Sequence, residues 1–128
     1  MDTKLNLNEK QARFQKDGIQ LRLGHIASNL ARIRSFCNTA YKKAVEIVID
    51  ETEWFIEWTA AEIEPEQAEE LVNIQVQLAR WQLTLDNIWL DELRIAEIAQ
   101  QAETYSQRVL DMSGLLESIT DNPSPAVS

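Results

Sequence analysis

The chain has 128 residues, 45% apolar and 26% charged, enough for one domain with a buried core. Its net charge of −9 argues against nucleic acid or an anionic membrane as partner, and a single cysteine, Cys37, rules out an internal disulfide. No apolar run reaches membrane-span length and the first eight residues lack a signal-peptide core, so the expected compartment is the cytoplasm.

Residues 1–8 are polar, and Asn6 or Asn8 is expected to cap the first helix with Glu9 in its first turn. From Ile19 the apolar positions alternate in steps of four and three through Leu23, Ile26, Leu30, Ile33 and Cys37. The same seam runs on through Ala40, Ala44 and Ile47 and, past Glu51, through Trp54 and Trp58. Asn38 and Thr39 are the best candidates for a break because both have modest helix propensity and both can cap. Nothing in the spacing forces one. Gly18 and Gly24 each cost about 1 kcal/mol in a helix, which makes this early part the weaker one. Between Ala44 and Ile63 a second apolar face, Val45, Ile49, Ile56 and Ile63, adjoins the first, and together they span roughly 200° of the helical wheel. Such a segment should touch at least two neighbours.

Pro65 is the only proline before Pro123 and suits the first position of a helix, while it disfavours helical geometry at Glu64. The chain is therefore expected to reverse here. Beyond it run the stripes Leu71, Ile74, Leu78, Trp81, Leu85, Ile88 and Ile95, Ile98, Ala102, Tyr105, Val109, Met112. They do not join in register, so a break or kink is expected near Asp91. Ser113-Gly114 should end the last helix, and residues 121–128, with two prolines, read as a disordered tail after a single domain over 1–120.

The predicted fold is all-α, an antiparallel up-and-down helical bundle. The uninterrupted register through Asn38 favours a long α-hairpin turning at Pro65, with arms over 9–63 and 65–113. Two such arms cannot cover their own apolar faces, so a homodimer would complete the bundle. The alternative is a monomeric four-helix bundle with breaks near Asn38 and Asp91, and a three-helix version with one break is also open. Cys37 and Asp91 each lie 27 residues from Glu64, so an antiparallel arrangement sets them at one level. Residues 1–43 carry nine Lys/Arg and three Asp/Glu, a balance of +6, whereas residues 44–128 carry −15. The basic first segment should thus lie against the acidic last one, although screened surface pairs orient more than they stabilise.

Four residue sets carry candidate chemistry. Glu46, Asp50, Glu53 and Glu57 form one carboxylate stripe, read first as a solvated face and otherwise as a hard-cation site. Trp54 and Trp58, four apart beside these acids, could anchor a partner helix, so the six residues form the predicted partner-binding site. Cys37 lies on the seam with no histidine near it in sequence and reads as a buried, inert thiol. His25, the only histidine, falls off the core seam.

The stretch His25-Ile26-Ala27-Ser28-Asn29 loosely resembles the phosphoacceptor box of sensor-kinase dimerisation domains, in which Asn or Thr follows the histidine by four residues. It departs from that box at Ile26, Ser28 and Leu30, where the family has an acid, a basic residue and a proline. The resemblance implies a phosphohistidine relay with His25 as phosphoacceptor. No phosphate loop, zinc spacing or nucleophile elbow occurs, so no enzyme and no cofactor are predicted. The expected function is a non-enzymatic, self-associating interaction module, a small acidic adaptor or assembly factor with a basic, helical protein partner. The alternatives are the relay module and a carboxylate-lined metal-binding bundle.

Overall fold

The computed structural model describes residues 3–115, which form five helices: α1 (Thr3–Gln15), α2 (Ile19–Asn38), α3 (Lys42–Ala60), α4 (Pro65–Ile88) and α5 (Glu92–Ser113). The expected tail over 121–128 and the last residues of the expected domain lie outside the described residues. α2 to α5 make the up-and-down bundle, each antiparallel to the next, with α5 closing back on α2.

The long uninterrupted arms of the hairpin are not what forms: the chain breaks at both suspected places and also at Lys16–Gly18. The break after Asn38 has a backbone cause. Ala40 sits in the left-handed region at φ 57°, Tyr41 N–H donates to the Phe36 carbonyl (2.9 Å), and Ala40 N–H donates to the Cys37 carbonyl (3.2 Å). These two bonds are the Schellman ending of a helix, and its usual apolar contact is present as the edge-on Phe36–Tyr41 ring pair. Glycine normally marks that position, and alanine here hides it. At the other break, Asp91 caps α5 by accepting from Arg94 N–H at 3.2 Å.

Elsewhere the local signals act as read. Glu64 is extended (φ −58°, ψ 142°) and Pro65 opens α4. Gly114 ends α5 in the left-handed region at φ 73°. Asn6 and Asn8, expected as caps, lie inside α1, which begins earlier at Thr3.

Both stripes of the second half turn inward as spaced: Leu71 to Leu85 are buried, as are Ile95, Ile98, Ala102 and Val109, with Tyr105 partly buried against them. In α3 the core positions are Val45, Ile49 and Ile56 with Thr52 and Thr59, not the continuation of the α2 seam. The turn at 39–41 resets the helical phase, so Ile47, on that seam, is 58% exposed. α2 and α5 lie closest, because Ala27, Ala99, Ala102 and Ser106 leave room for their axes to approach. Ser106 Oγ donates to the Ala27 carbonyl at 2.7 Å within that seam. Between α4 and α5 the bulk of Trp81 and Tyr105, 6.1 Å apart, holds the axes further off. The basic α2 faces the acidic α5, as the charge split implies, with Arg34 paired to Glu103 at 2.8 Å. Cys37 and the 89–92 turn line one groove at the same end of the bundle, as their equal distance from Glu64 requires.

The polar α1 lies outside the bundle along α3, Lys10 level with Glu51 and Phe14 level with Phe55. Phe14 is its one buried apolar residue among those whose side chains are described, stacked on Phe55 at 4.1 Å. The Lys16–Gly18 turn is held by Arg22, buried yet fully engaged. Its Nε donates to the Asp17 carbonyl (2.8 Å), Nη2 to the Gln15 carbonyl (3.0 Å) and Nη1 to Glu62 Oε2 (2.9 Å).

Candidate functional site

Two surfaces collect the residues that sequence reading singled out. The first is the outer face of the α3–α4 pair. Glu46, Asp50, Glu53 and Glu57 follow the junction of the two helices. Gln75 of α4 reaches across it, donating to the Glu53 carbonyl and to Glu57 Oε2, each at 3.1 Å. Glu46 pairs with Lys42 at 2.9 Å. Asp50, Glu53 and Glu57 have no lysine or arginine within ion-pair distance among the described residues. Partial burial raises the Glu53 carboxyl above its ordinary range and nearby Asp50 adds to this, while a Gln82 hydrogen bond pulls the other way.

Apolar side chains flank the acids on both sides. On α3 stand Ile47 and Trp54, the latter 38% exposed. On α4 stand Val72, Val76 and Leu83, which share one helical face at spacings of four and seven, with Leu83 82% exposed. A shallow groove on this face is lined by Asp50, Glu53, Trp54 and Glu57 of α3 and by Gln75 of α4. Sequence spacing found Trp54 and the acids but not the α4 row, because those residues lie off the core stripe of their own helix. Trp58 stands apart from the other five predicted residues. It is 7% exposed, with Trp54 stacked at 5.7 Å on one side and Phe14 of α1 at 5.9 Å on another. Trp58 therefore supports Trp54 from beneath instead of meeting solvent.

The second surface is a groove of about 320 Å³ between α1 and α2 with α3 as its floor. His25 lines it half-exposed, its Nε2 2.8 Å from Asp17 Oδ2 and its ring beside Phe14. Asn29, fully buried, donates to Glu51 Oε1 (3.0 Å) and accepts from Arg32 Nη1 (2.9 Å). Burial alone would raise the Glu51 carboxyl, but the bonds from Lys10 and Asn29 outweigh it and hold the group below its ordinary range. Sequence reading placed His25 off the core but had no signal for the groove, which exists only because α1 folds back.

Cys37 is buried, and desolvation pushes its thiol up to about 11, so it is neutral and unreactive at physiological pH. Among the described residues, no three His, Cys, Asp or Glu side chains converge to hold a metal ion. No described helix is long and apolar enough to cross a membrane. No protein-family model, curated protein or solved structure matches this chain.

Proposed function

We propose that the protein is a non-enzymatic interaction module whose α3–α4 face receives a basic, amphipathic helix of another protein. One observation carries this reading: three carboxylates without a cationic partner among the described residues run between two rows of exposed apolar side chains. A helix with an apolar stripe bordered by lysines or arginines meets both features at once. A second copy fits less well, because a symmetric pairing sets the acids against each other. The expectation of self-association rested on two arms too few to cover their own core. Four helices of one chain now cover it, and that reason falls away.

The test compares complexes purified from the source cells with the wild type, with Glu53→Lys/Glu57→Lys and with Val76→Gln/Leu83→Gln. A protein at fixed stoichiometry, lost from both variants while their circular dichroism is unchanged, supports the reading. Its release by moderate salt identifies the electrostatic part. Partners retained by both variants, or a homodimer that both variants dissociate, overturn it.

A second reading rests on the His25–Asp17 contact. A carboxylate bonded to one ring nitrogen orients the ring and fixes its tautomer, which leaves the other nitrogen's lone pair available, as a phosphoaccepting histidine requires. It predicts an acid-labile phosphate that disappears in His25→Gln. Absence of transfer from every response regulator tried removes this reading.

A further inference from the structure

The groove between α1 and α2 contains more positive charge than its own acids use. Glu51 is joined to Lys10 at 2.5 Å and Asp17 is hydrogen-bonded to His25 at 2.8 Å, so neither acid pairs with an arginine. Arg13 and Arg32 are left. Arg13 makes no hydrogen bond or ion pair among the described residues. Arg32 gives one hydrogen bond to the neutral Asn29 amide and acts on Glu51 only through space. Two guanidinium groups without a carboxylate thus line one concave site on a chain whose net charge is −9. The wall beside them is aromatic, formed by the Phe14–Phe55 stack, and Ser28 adds a hydroxyl at the rim.

We propose that this groove binds a small organic dianion, its head group held by Arg13 and Arg32 and its apolar body laid against Phe14 and Phe55. Guanidinium groups suit such a head group because their planar donors form paired, charge-assisted hydrogen bonds with phosphate or carboxylate oxygens. Two arginines match two negative charges, and the aromatic wall provides what a bare inorganic ion cannot use. The site is independent of the α3–α4 face, and its occupant does not depend on the protein partner proposed there.

The test is a heteronuclear NMR titration of the whole chain with phenyl phosphate, and with benzoate as the singly charged analogue of the same body. The expected result is saturable shifts at Phe14, His25 and Asn29, with phenyl phosphate at least tenfold tighter than benzoate. Arg13→Gln should weaken it about tenfold, one lost charge-assisted contact. Because Arg13 bonds to no described residue, this variant keeps the fold, and unchanged tryptophan fluorescence confirms it. Arg32→Gln should weaken binding similarly. Linear, non-saturating shifts, equal affinity for benzoate, or undiminished binding in the Arg13→Gln/Arg32→Gln double variant each overturns the proposal.

Discussion

Glu53 shows how one side chain can be costly to the fold and useful at the surface. Its folded-state carboxyl holds its proton more tightly than in the unfolded chain. Above that raised pKa folding therefore carries a penalty, which fades as pH falls through it. Glu53→Gln should accordingly stabilise the fold slightly at neutral pH, by about 0.5 kcal/mol or less at this partly exposed site. The gain should vanish below the ordinary glutamate range, as thermal melts across pH would report. Arg22 lies at the opposite extreme. It is buried, and it satisfies two carbonyls at the end of α1 and the Lys16–Gly18 turn as well as Glu62. Arg22→Met should cost about 1–2 kcal/mol in urea denaturation, because it removes three charge-assisted hydrogen bonds to partly buried acceptors. Neither role is written in the local sequence: both residues look like ordinary charges on a helix, and only burial separates them.

Among the elements, the turn at 39–41 has the largest consequence. Ala40 adopts a left-handed conformation that costs an alanine about 1–2 kcal/mol, and the Schellman bonds and the Phe36–Tyr41 contact hold it there. Ala40→Gly should stabilise the protein by about 1 kcal/mol, less than the full strain because glycine gains freedom when unfolded. Equilibrium denaturation measures this, and a destabilised variant would show that the turn does not hold Ala40 left-handed. This turn also sets what α3 exposes. Had the helix continued, Ile47 and Trp54 would have stayed on the seam of α2; the reset phase turns them outward and brings Val45, Ile49 and Ile56 in. The interaction face proposed for α3–α4 is thus a product of the turn as much as of the helices.

In the whole molecule, stability should be uneven. α2 to α5 share one apolar core, whereas α1 adds to it mainly through Phe14, the Lys10–Glu51 pair and the bonds of Arg22. Segments with few buried contacts open locally at low free energy. Native-state hydrogen exchange should find α1 amides far less protected than those of α2 and α5. Phe14→Ala should release α1 while the protection of α5 changes little; equal loss in both would mean that α1 folds as part of the core. Opening of α1 would also uncover Phe55 and Trp58 beside Trp54.

The sequence by itself determined the helices that carry local signals: Pro65 opens α4, Gly114 closes α5, and the stripes from Leu71 and from Ile95 turn inward as spaced. Hydrophobic periodicity and backbone propensities are short-range properties, readable within a few turns of chain. Charge asymmetry between the two parts of the chain also foretold that α2 would face α5. Tertiary structure decided what depends on residues far apart. It folded the apparent long arm at Ala40, where an alanine occupies a position usually marked by glycine. It placed Trp58 under Phe14 and left the α4 row of Val72, Val76 and Leu83 exposed. It also brought Arg13 and Arg32 to one groove by folding α1 back along α3. Burial and charge pairing are properties of the packed molecule, and no window of sequence contains them.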